Sequence, residues 1–462
     1  MSSDVDEDHD APGPSKFKGN QHRRGTLLDQ HPELPSLIQK CINEHVRQGD
    51  IPELLSKEHG INIGLRSIER IIKMRNLSTT RHSHLTDVEK VTAILSVTED
   101  DPLGRWGGRK VKEKLALDGV HISLPQINDI QRTVNAEAVS KRHPGTRKVH
   151  KSGLFSSGPN EEWCIDGHEK IFEAMGIGIY GIIDKYSRKE LLLLAMRSIR
   201  RANIPPAVYL QLVLELGGIP VQTTTDMGTE TGVLAALQTS LRCGTQLSNA
   251  TEFAQLEIDS QESFPELSLE LVPAHRSVKS VYNITRERNW RPLWEKDLAN
   301  IRFQYETGKI DAGYHPTDPI HQQVLFLPFS IGFDSVFREV AVFVWGMAVQ
   351  RRLDEHKHES ALHQIRKQRK SLLPTGGRPR DFYNHPERWG GTNQLIAVDS
   401  SIIDKLITEN TPSDLRQFTS SAVMEALCQM AYKAVGSPEV SSRNAWNTFT
   451  AMVNEISVVN SM

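Results

Sequence analysis

Residues 163–196 read WCIDGHEKIFEAMGIGIYGIIDKYSRKELLLLAM. The first apolar run starts at Trp163 and ends on Asp166, where Gly167 breaks it. The run from Ile177 and the run Leu191–Met196 flank a polar turn, DKYSRKE, as the two arms of a β-hairpin do. Downstream the period lengthens to a helix over PPAVYLQLVLELGG (205–218), shortens to a strand over PVQTTTDM (220–227), and lengthens again over TGVLAALQTSL (231–241). A strand over LELVPA (269–274) and a long helix over NITRERNWRPLWEKDLANIRFQY (283–305) follow. Three sequential strands followed by alternating strand and helix predict an α/β fold, a mixed sheet flanked by helices.

Upstream of this stretch the chain reads as helical. LIQKCINEHV (37–46), DIPELLSKEHG (50–60) and LRSIERIIKMRN (65–76) form a helix-turn-helix pattern. Asp50 and Glu53 have capping-box spacing, and Gly60 ends the second helix. Leu65, Ile68, Ile71 and Ile72 share one face of the third helix, and Arg66, Arg70 and Lys73 share another. A second pair follows: GRKVKEKLALDG (108–119), then SLPQINDIQRTV (123–134), with Ser123 as N-cap and Gln126 completing a box. Between Pro102 and Lys151, eleven basic residues stand against four acidic ones. Such a local excess matches helices that neutralise phosphates while one of them enters a groove, and Arg109, Lys110, Lys112 and Arg132 are its candidate DNA contacts. A second basic stretch, Arg351 to Arg380, carries nine basic against three acidic residues. Within it, Arg366, Lys367, Arg369 and Lys370 read equally as a phosphate track, a nuclear-import signal or a solvated helix face.

Composition narrows the classes. The 462 residues are 38% hydrophobic and carry a formal charge of -2 from 55 Lys+Arg and 57 Asp+Glu, so DNA contact requires local basic surface. The four cysteines are scattered without paired spacing, which excludes a disulfide framework and a cysteine zinc knuckle and fits a reducing, intracellular compartment. No apolar run approaches the ~20 residues of a membrane helix, so a soluble protein is expected.

Three carboxylates carry the candidate chemistry. Asp166 ends one strand, Asp226 ends PVQTTTD, and Glu287 lies one turn into the helix after Asn283. Converging carboxylates repel, and a cation or a proton must compensate them. Hard oxygen ligands without a His/Cys cluster favour Mg²⁺ or Mn²⁺. Glu230 and Glu295 compete with Glu287. His168 and Lys170 read either as phosphate-placing groups or as structural ones, and Trp290 and Trp294 read as core packing.

The runs WCIDGHEKIFEAMGIGIYGIIDKYSRKELLLL, TTTDMGTETG and NITRERNW together resemble the integrase core of retroviral integrases and related D,D,E transposases, most closely transposon-derived integrase-core proteins of fungal and animal genomes. WGMAVQRRLDEHKHE and LLPTGGRPRDFYNHPERWGG are similar to the arm that follows that core, and GGRKVKEKLALDGVHISLPQINDI to the helix-turn-helix that precedes it. The likeness covers about residues 50 to 400. It implies a ribonuclease H-like fold, Asp166, Asp226 and Glu287 as catalytic and metal-binding residues, and Asp184 as a structural residue. It also implies two metal ions, DNA as partner, homo-oligomers on DNA ends, a nuclear location and no small-molecule cofactor. The paired His and Cys of the retroviral zinc module are absent, and the 61-residue interval from Asp226 to Glu287 is longer than in the retroviral enzymes.

The chain then divides into a disordered tail (1–28), a first helix-turn-helix domain (29–80), a second (84–138), a linker (139–157), an integrase catalytic core (158–312), a basic C-terminal arm (313–400) and a helical tail (401–462). The expected function is metal-dependent DNA cleavage and strand transfer. The alternative is a catalytically silent DNA-binding protein that keeps the fold. Cleavage of RNA:DNA hybrids ranks last, because nothing before the core suggests hybrid binding.

Overall fold

The computed structural model describes residues 27–81, 83, 85–134, 154–248, 272–279, 283–314, 336–369 and 371–461. Most of the expected N-terminal tail, most of the linker and Lys370 lie outside them. The chain divides into two compact units, with the boundary between His82 and Ser83.

The first unit is built on α1 (Leu34–Asn43), α2 (Ile51–His59) and α3 (Leu65–Met74). Apolar residues three and four apart close one core, in which Leu34, Ile38, Ile51, Leu55 and Ile68 are all but fully buried. Gly60, at φ 67°, takes the left-handed turn that ends α2. Two expectations need correction here. Asp50 makes no side-chain cap, because its backbone is helical (φ -93°, ψ -15°), whereas a capping side chain needs an extended one. Leu65 is exposed, since it is the first residue of α3 and precedes the turn that packs.

The second unit starts with α4 (Asp87–Thr98), α5 (Gly108–Leu117) and α6 (Leu124–Val134), closed over Ile94, Trp106, Val111, Leu115 and Ile127. A true capping box opens α4: Thr86 Oγ1 accepts from the Glu89 amide, and Glu89 accepts from the Thr86 amide at 2.7 Å. At α6, Ser123 and Gln126 pair as expected, at 2.8 Å between their side chains.

The sheet consists of β1 (Glu162–His168), β2 (Gly178–Asp184), β3 (Glu190–Met196), β4 (Gln222–Asp226) and β5 (His275–Val278), in the order β3-β2-β1-β4-β5. Strands β1, β2 and β3 are antiparallel neighbours, while β4 and β5 add on parallel to β1. The fold is thus mixed α/β. The described part of the last strand is His275–Val278, paired from Thr223↔His275 just past Pro273, which has no N–H to give a ladder; residues 269–271 of the expected strand 269–274 lie outside the described residues. β1 also runs past its expected end at Asp166 to His168, because it keeps pairing with β2 as far as His168↔Ile179.

Helices cover both faces of the sheet. On one face, α7 (Ile204–Leu216) packs Val208, Tyr209 and Leu212 against Trp163, Ile165, Ile182 and Leu192. α8 (Gly232–Ser248) adds Leu234 and Leu241 to the same core. The other face carries α9 (Ile284–Leu293), a π-helical turn (Trp294–Leu298), α10 (Ala299–Asp311) and α11 (Val336–Leu362), which meet Ile179, Leu193 and Ala195. Pro292 interrupts the hydrogen bonding of α9 just before the π turn. A short helix, α12 (Pro379–Asn384), leads to α13 (Ser400–Asn410), α14 (Ala422–Ala434) and α15 (Ala445–Ser461). Within residues 401–461 these helices are built into the cores: Ile403 joins the α7 side, and Cys428, Phe449 and Met452 join the α11 side. Among the described residues no helix is long and apolar enough to cross a membrane.

Candidate functional site

Strand register sets two of the three carboxylates side by side. β1 and β4 are parallel, and their last paired residues are Cys164 and Thr224. Asp166 and Asp226 each stand two residues further on, so both point to the same face at the carboxyl ends of adjacent parallel strands, where the strands part. Such an opening is where α/β sheets place ligands. The helix bearing Glu287 is tied to the spot by its cap residue, since Asn283 Nδ2 donates to the Ile165 carbonyl at 3.3 Å. Trp290 Nε1, one turn on, donates to Asp166 Oδ2 at 2.8 Å.

The electrostatics follow from this placement. Burial pushes the Asp166 carboxyl up to about 7; the Trp290 hydrogen bond opposes the shift, and the charges of Asp226 and Glu287 add to it. Burial also raises Asp226, with repulsion from Glu230 and then Glu287 adding to the rise. The charge of Arg286 also opposes the Asp166 shift, although its ion pair is with another carboxylate. Fully buried, it forms an ion pair with Glu190 and lies 3.7 Å from the Trp290 ring centroid. Gly181, opposite Asp166 on β2, leaves it room: a Cβ there would meet the guanidinium carbon at 3.0 Å.

Glu287 is exposed at the first turn of α9. Among the described residues, no group of three or more His, Cys, Asp or Glu side chains is gathered closely enough to hold a metal ion. The donor chemistry of Asp166 and Asp226 fits a hard divalent cation, because two desolvated carboxylates that repel each other take up either a proton or a metal. The third ligand is not drawn in. Of its competitors, Glu230 lies in a 3₁₀ turn (Thr229–Thr231) and acts on Asp226 more strongly than Glu287 does. Glu295 is occupied with Arg291, at 2.7 Å.

Other residues singled out in the sequence divide by environment. Asp184 staples the β2–β3 turn, accepting from the amides of Asn160 and Ser187, both at 2.7 Å, and from Ser187 Oγ at 2.6 Å. His168 is buried against Trp290, ring centroids 4.7 Å apart, and burial lowers it to about 4, so it is neutral at physiological pH. Lys170 lies over the Trp294 ring at 5.7 Å. Arg66, Arg70 and Lys73 are exposed together on α3, and Arg109, Arg132, Arg366, Lys367 and Arg369 are exposed in the second unit. Lys112 is half-buried. Lys110 points inward, its ammonium 2.8 Å from Asp297 Oδ1 and 3.4 Å from Glu359 Oε2.

That ion cluster has no counterpart in the sequence reading. Asp297, in the π turn, also binds Arg352 at 2.9 Å and His356 at 2.7 Å, joining α5, the π turn and α11. Burial would raise its carboxyl, but the charges of Arg352 and Lys110 outweigh that and hold it well below the usual range. Trp106 Nε1, donating to the Lys296 carbonyl at 2.5 Å, ties the α4–α5 segment to the same turn. No family model matches the chain, and no curated protein matches it.

Proposed function

We propose that this chain is a ribonuclease H-like, metal-dependent DNA strand-transfer enzyme of the integrase type, with Asp166 and Asp226 as its central carboxylates and Glu287 as the third. The observation that carries the reading is the pair of aspartates at matching register on adjacent parallel strands, each with its proton affinity raised and neither ion-paired with a cation among the described residues. The strand order β3-β2-β1-β4-β5, an antiparallel meander extended by parallel strands, supports the fold assignment. Exposed basic side chains on α3 and α5 support DNA as the partner.

Asp166, Asp226 and Glu287 would hold Mg²⁺ or Mn²⁺. Bound there, the metal supplies Lewis-acid activation of a water or a 3′-hydroxyl and neutralises charge at the phosphodiester. The chain's own contribution is orientation. Trp290 fixes the Asp166 carboxylate, Asn283 anchors the start of α9 beside β1, and the buried Glu190–Arg286 pair braces the floor below them.

The test is nicking and strand transfer on supercoiled plasmid with Mg²⁺ or Mn²⁺, wild type against Asp226→Asn. Metal-dependent product from wild type alone supports the enzyme. Equal DNA binding by both proteins with product from neither leaves the second reading, a silent DNA-binding protein that retains the fold. One observation favours that alternative: the three carboxylates do not form a ready ligand set among the described residues.

A further inference from the structure

Arg286 and Trp290 stand four residues apart on α9 and so share one face of it. The Arg286 guanidinium carbon lies 3.7 Å from the Trp290 ring centroid, a cation–π contact, and the ring's Nε1 donates to Asp166 Oδ2 at 2.8 Å. Behind the guanidinium, Glu190 of β3 accepts from its Nη1. An unbroken line of contacts therefore runs from Glu190 through Arg286 and Trp290 to Asp166, carried by β3, α9 and β1.

Packing alone does not account for this line. Arg286 is fully buried, and its Nε and Nη2 are bonded to no oxygen among the described residues. Apolar side chains of similar volume often match a buried ion pair in stability, so what the cation adds here is its field. Among the groups that favour ionised Asp166, the Trp290 N–H comes first and the charge of Arg286 second, and Asp226 opposes more strongly than Arg286 alone can offset. The larger lever on the carboxylate is thus the indole, and a cation over the face of a ring draws on its electrons and makes its N–H a stronger donor. His168 packs against the same indole, 4.7 Å between centroids, and carries no charge at physiological pH.

We infer that Arg286 is a positioning residue: lying over the indole, it polarises Trp290 so that the ring N–H holds the Asp166 carboxylate in the orientation that takes a metal ion. The inference rests on the metal reading above and adds to it a group that touches neither metal nor substrate. Gly181 makes room for it, since a Cβ there would meet the guanidinium carbon at 3.0 Å and Nη2 at 3.1 Å.

The experiment takes the full chain, its tryptophans labelled with ¹⁵N, at pH 8, wild type against Glu190→Leu/Arg286→Met, which removes both charges and keeps the volume. Trp290→Phe identifies the Trp290 indole resonance, and that proton should move upfield in the paired variant, as a weakened donor does. Half-saturating Mg²⁺, read from thermal stabilisation, should rise roughly threefold in the paired variant and roughly tenfold in Trp290→Phe. Combined with Trp290→Phe, the paired exchange should add nothing further, because its effect passes through the indole. Losses that multiply overturn the inference, and so does a paired variant whose indole proton and Mg²⁺ midpoint both match wild type. If the paired variant does not fold, Gly181→Ala decides by the same two readings: it crowds the guanidinium, keeps every charge, and should move both in the same direction by less. Should neither Mg²⁺ nor Mn²⁺ stabilise wild type, the metal reading fails and the indole proton decides alone. An upfield move in the metal-free paired variant upholds the role of Arg286, and no move removes it.

Discussion

Along the helical rod that runs through α9, the π turn and α10, two carboxylate sites lie ten residues apart, and the fold treats them in opposite ways. At the π turn, Asp297 is fully buried with Lys110, Arg352 and His356 bonded to it, and it stays ionised far into acid. One end of α9 carries Glu287 near Asp166 and Asp226, where no cation among the described residues bonds to the aspartates and burial pushes Asp166 up to about 7. At Asp297 the chain supplies the counter-charge, whereas at Asp166 burial and the neighbouring Asp226 and Glu287 favour uptake of a proton or a metal ion.

The sharpest way to break this contrast is at Asp297. Asp297→Asn leaves Lys110, Arg352 and His356 facing a neutral group, and a broken buried ion cluster typically costs about 3–5 kcal/mol. Urea unfolding at pH 7 should show a loss of that size, with α5 released from the π turn. The pH dependence has a definite sign: Asp297's folded proton affinity is depressed, so its contribution is complete above the ordinary aspartate range and disappears only in strong acid.

Asp166 should behave in the reverse sense. Its folded proton affinity is raised, so the folded state holds a proton that the unfolded chain has released between about pH 4 and 7, and stability falls as pH rises through that window. Asp166→Asn should therefore be more stable than wild type at pH 8, by on the order of 2–4 kcal/mol, and equal to it near pH 4. Millimolar Mg²⁺ should stabilise wild type at pH 8 and leave Asp166→Asn unchanged, because only the ionised pair binds the cation. An Asp166→Asn protein less stable than wild type at both pH values would erase the distinction between the two sites.

Legibility in the sequence divides along the same line. The β2–β3 hairpin, α7 and β4 were readable because their signals are local, apolar alternation and a helical period, whereas the structural role of Asp184 came only from the resemblance. The adjacency of Asp166 and Asp226 was readable as two strand ends, although their common face depends on the register Cys164↔Thr224. The Asp297 cluster was not readable, since Lys110 lies 187 residues away in the chain and His356 lies 59. For the same reason Trp290 could be read as packing but not as a hydrogen-bond donor to Asp166, 124 residues distant. Capping shows the limit of spacing alone: Asp50–Glu53 has the spacing without the extended backbone, while Thr86–Glu89 has both.

Trp290→Phe sharpens the contrast on a smaller scale. It removes the indole N–H that favours the ionised form of Asp166, a bond worth about 1 kcal/mol, so the carboxyl should titrate roughly 0.7 units higher. The shift can be read from the pH at which the stability difference between Trp290→Phe and Trp290→Phe/Asp166→Asn reaches half its full value. A downward shift would mean that the indole mainly excludes water from the carboxylate.

The smallest stability effect, and the cleanest separation of roles, lies within α5. Arg109 and Lys110 are adjacent members of one basic run, yet Arg109 is exposed and Lys110 is bonded to Asp297. Replacing an exposed cation without a structural partner usually leaves stability within about 0.5 kcal/mol, so Arg109→Gln should unfold like wild type in urea. If α5 faces DNA, the same variant should lower the salt slope of duplex binding by about 1. Lys110→Gln should do the opposite, destabilising the second unit while leaving the salt slope unchanged, because its charge is already neutralised inside the protein. Equal slopes for wild type and Arg109→Gln would remove α5 from the DNA-binding surface and leave its basic face as a partner of Asp297, Glu355 and Glu359 alone.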